Sequence, residues 1–180
     1  MSITMKTYKG HTINYTLHTV SEVDIEDIAH SLSRQNRFLG HTEMPYTVAQ
    51  HSILVSKQVP PDHALAGLLH DAAEAYFGDI IRPVKELMGR EFRRMHDNFT
   101  RLVFEAYSVT FPIPQAVHEA DHRLLVTEMH DPRIYGKPEV TPIRAEGYKP
   151  YDMEIFPYAS ASEAEFRFIT HFRELTFSNG

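Results

Sequence analysis

Apolar positions recur at helical spacing along most of the chain and divide it into successive segments. From Asp24 to Gln35, Ile25, Ile28, Ala29 and Leu32 share one face, and Ser21 and Asp24 stand ahead of them at capping-box spacing. A second helix starts at Thr47, where Gln50 completes a capping box; its stripe is Val48, His51, Val55 and Val59, so a histidine occupies the buried side. Pro60 and Pro61 then break the chain. The stretch Ala64 to Asp79 follows, and the rest is organised around it. Ala64, Leu65, Leu68, Leu69, Ala72, Ala73, Ala75, Tyr76 and Phe77 leave it almost no polar face, and Gly78 ends it. Gly78 to Gly89 predicts a tight connection and a short helix. The long amphipathic helix beyond turns Phe92, Met95, Phe99, Leu102, Val103 and Ala106 inward, with Glu91, Arg93, Arg94, Asp97 and Arg101 on a solvated face. The segment Pro114 to His130 carries Val117, Ala120, Asp121, Leu124 and Glu128 on one stripe. Ser162 and Glu165 are placed to cap a last helix bearing Phe166, Ile169, Phe172 and Leu175.

Three segments lack this period. Thr7 to Tyr15 reads as a hairpin turning at Lys9 and Gly10. Arg34 to Tyr46 is a polar loop marked by Gly40 and Pro45. Asp131 to Ala161, rich in Pro, Tyr and Gly, is either a pocket cover or a surface excursion. The sum is one all-α domain over residues 1–180, a bundle of about six helices with a short N-terminal hairpin. Its core spans 24–131, its long loop 132–161 and its C-terminal helix 162–177.

Composition narrows the classes of function. A chain of 180 residues, 42% hydrophobic and 23% charged, can bury a core of its own. The formal charge of −6 argues against a nucleic-acid partner or an acidic membrane surface, while a small anionic substrate stays compatible with it. With no cysteine, disulfides and zinc–thiolate sites are excluded. The N-terminus MSITMKTYKGHT has no signal-peptide core and no membrane-spanning run appears later, so a cytoplasmic location is expected.

The chemistry lies where charge interrupts apolar faces. His70, Asp71 and Glu74 break the most apolar helix of the chain, His70 and Asp71 in adjacent directions and Glu74 one turn on. Buried charges need a partner or a metal, so either an internal ion pair or a cation answers the anomaly. His51 and Asp121 repeat it on two further helices, with His118 and His122 flanking Asp121 as alternative donors. Two imidazoles and two carboxylates suit Mn²⁺, Co²⁺, Fe²⁺ or Zn²⁺ better than Ca²⁺. Octahedral coordination leaves room for water and substrate; tetrahedral zinc would close the site and make it structural. Glu74 is placed to orient or deprotonate water beside such an ion.

The set H…HD…D across three helices, within LLHDAAEAYFGDIIRPVK and after NRFLGHTEMPYTVAQHS, resembles the HD superfamily of metal-dependent phosphohydrolases. The likeness runs from about Asp24 to Asp131 and is greatest to the small branch of 5′-deoxynucleotidases and phage-type dATP triphosphohydrolases. It implies that His51, His70, Asp71 and Asp121 hold the metal and that Glu74 handles a proton. It implies further that Arg37 grips the phosphate nearest the sugar, and that Asp79 and Lys85 lie near sugar and phosphates. Phe38 stands where the triphosphohydrolases set an aromatic ring against the base, or else packs in the core. Glu128 falls on the inward stripe and is placed to hold Arg34 or Arg37, while His41, Tyr46 and Arg82 are further pocket candidates. The expected activity is hydrolysis of dATP to deoxyadenosine and triphosphate, with Mg²⁺ on the substrate phosphates and a homo-oligomeric assembly. The alternatives are a 5′-deoxynucleotidase, a non-catalytic nucleotide-binding protein and a structural metal domain.

Overall fold

Helices carry most of the chain, as the spacing of its apolar residues requires. The computed structural model describes residues 2–137 and 147–177. The chain opens in a small antiparallel sheet, β1 (Thr4–Lys6), β2 (Thr12–Asn14) and β3 (Thr19–Val20), with Met5 opposite Ile13 and Ile13 opposite Val20. The predicted hairpin is therefore present and gains a third strand. Its turn is closed by Gly10 N–H donating to Thr7 O, with Gly10 at φ +92°.

Helix α1 (Ile25–Leu32) buries Ile28, Ala29 and Leu32 as predicted, but its cap is Asp24, whose carboxylate accepts from Glu26 N–H. Ser21 is drawn away to accept from Thr12 N–H in the sheet. Helix α2 (Val48–Gln58) begins at Thr47, which accepts from Gln50 N–H. The reciprocal half of that capping box is missing, because the Gln50 amide instead donates to Phe156 O and accepts from Tyr158 N–H. Far from having one buried stripe, α2 is enclosed almost all round, with Ala49, Ser52 and Ser56 buried beside Val48, His51, Ile53 and Val55. It packs against α1, α3, α6 and α7, and so occupies the middle of the bundle.

The stretch predicted as a single helix from Ala64 divides into α3 (Ala64–Leu69) and α4 (Glu74–Phe77). Between them the backbone tightens: Ala72 N–H bonds to Leu69 O, Glu74 to Asp71 O and Tyr76 to Ala73 O, each three residues back. Tightening turns successive side chains by about 120° rather than 100° and brings Asp71 and Glu74 into line. Gly67 lets α3 come very near α2, since a Cβ there would lie 2.9 Å from Ser56 Cα. Helix α5 (Arg82–Ala106) is interrupted at Gly89, φ +75°, which separates the short and long helices predicted there. Its inward face carries Phe92, Phe99, Val103 and Phe104, while Ala106 is exposed, contrary to expectation.

Helix α6 (Gln115–His130) holds Val117, Ala120, Leu124 and Glu128 inward. The described part of the following segment is no excursion from the core: Ile134 and Ile155 are buried in it. Tyr151 N–H is held by Thr127 Oγ1 and Ile155 N–H by Asp131 Oδ2; residues 138–146 of the predicted loop lie outside the described residues. Helix α7 (Ala161–Phe177) is capped two residues before its predicted box, with Ser160 Oγ accepting from Glu163 N–H and Glu163 accepting from Ala159 N–H. That phase buries Ala164 and Phe168 and leaves Phe166, predicted inward, 69% exposed. Among the described residues no helix is long and apolar enough to cross a membrane.

Candidate metal centre

Three helices meet around His51 (α2), His70 (the turn after α3) and Asp121 (α6), whose ligand atoms all lie within 4.8 Å of one another. Asp121 Oδ1 is 3.1 Å from His51 Nε2 and 4.0 Å from His70 Nε2. Asp71 adjoins them, its Oδ2 3.2 Å from His70 Nε2 and 3.7 Å from His51 Nε2. All four residues named from the sequence as ligands are thus brought together, with His51, His70 and Asp121 the tightest group. His118, the alternative donor, is exposed, and His122 packs its ring against Tyr148.

Each imidazole is turned by its other nitrogen. His51 Nδ1–H donates to Glu128 Oε1 at 2.6 Å, and His70 Nδ1–H donates to Gly67 O at 2.8 Å. Both acceptors lack a proton to give, so the Nδ1 position carries it and Nε2 faces the cluster. Both Nε2 atoms are buried and neither finds a hydrogen bond of adequate geometry among the described residues. Left to protons alone, the cluster draws positive charge. Burial opposes it, yet the Asp71 and Asp121 carboxylates raise His70 to about 9, and against burial His51 holds Asp121 down at about 2. Two orphaned imidazole nitrogens facing two carboxylates fit a divalent cation, and that donor set could hold one.

Arg37 borders this group. Its backbone lies at the neck of the 34–46 loop, where Arg37 N–H bonds to Tyr46 O and Val48 N–H to Gln35 O. The guanidinium bonds to Glu128 Oε2 through Nε (3.1 Å) and Nη2 (2.9 Å), and Nη1 lies 3.9 Å from Asp71 Oδ2. Burial works against its charge, but Glu128, Asp79 and Asp121 keep it protonated. Phe38, next in sequence, is half-buried against the core. Its ring stacks on Tyr135 at 4.7 Å, and Lys137 lies over Tyr135. Phe38 and Leu39 both take left-handed conformations, φ +54° and +55°, a strained pair of a kind that clusters at functional sites.

On the other side, Glu74 is 2% exposed, with Lys85 Nζ 2.8 Å from its Oε1 and no partner for Oε2 among the described residues. Burial and the Asp71 carboxylate push its carboxyl well up, against the pull of Lys85. Lys85, implied to face phosphate, is thus engaged by the proton-handling candidate. Asp79 is anchored by its backbone, its N–H donating to Gln35 Oε1, and burial raises its carboxyl. Of the remaining candidates, Tyr46 donates to Glu128 Oε1 at 2.8 Å, Arg82 pairs with Glu86 and His41 is exposed. Arg34 pairs with Glu165, so Glu128 serves Arg37 alone of the two arginines.

The sequence did not single out Tyr135 or Gln35. Tyr135 lies in an aperiodic stretch, and Gln35, which donates to Glu74 O and to Ser31 Oγ, reaches the site through the backbone of Glu74 and Asp79. A second group with donor atoms in reach of one another, His11, Glu22 and Asp24, lies in the N-terminal region, where the Lys9 ammonium already sits 2.6 Å from Asp24.

No protein-family model matches the chain. It is 38% identical over 127 residues to the uncharacterized protein YfdR of Escherichia coli K12, an alignment covering 71% of each chain. It is also 31% identical over 157 residues to the uncharacterized protein RCAP_rcc00048 of Rhodobacter capsulatus, covering 75% of this chain and 80% of that one. Identity of this extent, across most of the helical domain that carries the centre, places the chain in one family with these two bacterial proteins.

Proposed function

We propose that the chain is a metal-dependent phosphohydrolase of the HD class that acts on a deoxynucleotide, with dATP and a triphosphate product as the leading case. The observation that carries this reading is the pair of Nε2 atoms turned by Glu128 and Gly67 toward Asp121, with the charged Arg37 beside them. His51, His70, Asp71 and Asp121 would hold the ion, which supplies a Lewis acid for a phosphoryl oxygen and makes water more acidic. Arg37 binds the α-phosphate and neutralises charge as it builds there. Glu74, lifted by burial, takes a proton from the attacking water and returns it to the sugar 5′-oxygen as the bond from that oxygen to phosphorus breaks. Water and dATP thereby give deoxyadenosine and triphosphate. The Phe38–Tyr135 stack, next in the chain to Arg37, offers aromatic surface for a purine.

One observation favours a second reading. Lys85 is held by Glu74, which leaves Arg37 as the cation nearest the ion site and suits a substrate with a single phosphate, as in a 5′-deoxynucleotidase. Deoxynucleoside mono-, di- and triphosphates incubated with Mn²⁺, Co²⁺, Zn²⁺ or Mg²⁺, with products separated chromatographically, decide the matter. Deoxyadenosine with triphosphate supports the first reading, and nucleoside with inorganic phosphate from monophosphates only supports the second. No turnover with any metal overturns both and leaves a binding or structural centre.

A further inference from the structure

Glu128 follows Asp121 by two helical turns on α6, so both carboxylates leave the same face, but only Asp121 reaches the ion group. Glu128 is 0% exposed and divides its two oxygens. Oε1 accepts from His51 Nδ1 at 2.6 Å and from Tyr46 Oη at 2.8 Å. Oε2 accepts from Arg37 Nε at 3.1 Å and Nη2 at 2.9 Å. A single carboxylate therefore fixes a ligand on the cation side and the guanidinium on the phosphate side, and each draws on the same negative charge.

We propose that Glu128 is a positioning residue that couples cation binding to phosphate binding. The proposal rests on the functional reading for a cation at His51 and for a phosphate at Arg37, and takes nothing from it about turnover. When a phosphate draws the Arg37 guanidinium toward itself, the bonds to Oε2 weaken and more of the Glu128 charge falls on the His51 Nδ1–H. A stronger acceptor at Nδ1 makes Nε2 a better donor to the cation. Binding linkage is reciprocal, so the cation strengthens phosphate binding by the same factor. Direct attraction between cation and phosphate adds to this linkage but does not pass through Glu128, and the two separate by mutation.

The test measures Co²⁺ affinity by titration, with and without inorganic phosphate, in the native protein, Glu128→Gln, Arg37→Met and the double variant. A glutamine offers one acceptor oxygen and sets an NH₂ against the donors of Arg37 or His51. Glu128→Gln is expected to weaken Co²⁺ by about 10- to 100-fold and to reduce the gain in Co²⁺ affinity that phosphate brings. Arg37→Met is expected to alter Co²⁺ affinity in the native background and to have no further effect on top of Glu128→Gln. A purely structural Glu128 would lower the melting temperature and leave the phosphate linkage intact, and that result overturns the proposal. If Glu128→Gln does not fold, histidine ¹⁵N spectra of the native Zn²⁺-loaded protein decide instead. The His51 Nδ1 proton should be present and its resonance should move when inorganic phosphate is added; a missing proton or an unmoved resonance overturns the coupling. None of these readouts needs turnover, so a protein that hydrolyses no nucleotide can pass them and an active phosphohydrolase can fail them.

Discussion

Two glutamates flank the centre, equally buried and prepared for opposite work. Glu128, on α6, is met by four donors from Arg37, Tyr46 and His51, and although burial opposes it, Arg37 and His51 hold its carboxyl below the usual range. Glu74, at the start of α4, has Lys85 on one oxygen and nothing on the other among the described residues, and its carboxyl is pushed well up. Burial is shared, so the neighbours decide the difference: Arg37 and the donors lower Glu128, while the Asp71 and Asp79 carboxylates raise Glu74 against Lys85. A carboxylate surrounded by donors is fixed as an anion and acts as a brace. A carboxyl left short of them can hold a proton at neutral pH and release it, which is what acid–base work requires.

The comparison breaks most visibly at Glu128. Glu128→Ala leaves the buried Arg37 guanidinium and the His51 Nδ1–H without their acceptor, and the expected loss of stability is ~3–5 kcal/mol by chemical denaturation. A loss below ~1 kcal/mol, as for an exposed ion pair, would remove the distinction between the two glutamates. Glu74→Gln keeps the shape and an oxygen for Lys85 Nζ while giving up the titrating carboxyl. It should leave Co²⁺ binding and melting close to native while turnover of the accepted nucleotide falls ~10²-fold or more, as steady-state kinetics reads it. Turnover near the native rate would make Glu74 a bystander.

The helical periods made most of the bundle legible, and the residues of the centre were legible for the same reason: charged residues at apolar positions need an internal partner or a cation. His51, His70, Asp71 and Asp121 stood out in that way and do meet. What the pattern could not convey were features without a period. The enclosure of α2 was hidden because Ala49, Ser52 and Ser56 read as neutral or wet, although small side chains are what let α3 approach. The tightened turn between α3 and α4 has helical composition throughout, so only its three-residue hydrogen bonds reveal it. The cap of α7 was misplaced because Ser160–Glu163 and Ser162–Glu165 share the same spacing; Glu165 is instead taken by Arg34 and His30. The pairing of Lys85 with Glu74 was not legible, because sequence cannot show which carboxyl a lysine reaches.

Glu128 is tied to α2 through His51 and Glu74 follows α3 in the chain, so moving the contact between α2 and α3 sharpens the comparison. Gly67 sits in it, and a Cβ there meets Ser56 Cα at 2.9 Å, Ser56 N at 3.2 Å and Val59 Cγ2 at 3.3 Å. Two of those neighbours are backbone and cannot rotate aside. Gly67→Ala should therefore cost ~1–3 kcal/mol in urea denaturation. It should also weaken Co²⁺ binding, because His70, held by Gly67 O, shifts away from His51 on α2. Native stability in that variant would mean that the helices separate without strain, and that their close approach does not set the spacing of the imidazoles.

A third carboxylate repeats the Glu128 pattern at smaller scale. Asp131, at the end of α6, accepts from Arg133 N–H and Nε at 2.9 Å each, from Arg133 Nη2 at 3.0 Å and from Ile155 N–H at 3.0 Å. Burial opposes the charge, but the Arg133 side chain and the two backbone donors lower its pKa. A folded-state pKa below that of the unfolded chain, about 3.9, adds stability above that value, and the contribution disappears as pH falls through the folded value. Asp131→Asn should thus cost about 1 kcal/mol at neutral pH, and the gap from the native protein should close as the pH drops below about 4. Thermal melts of both proteins across that range check the sign. A gap that stays constant on acidification would show that the shape of the side chain, and not its charge, ties the segment at Ile155 to α6, and would confine the contrast between braced and titrating carboxyls to the buried centre.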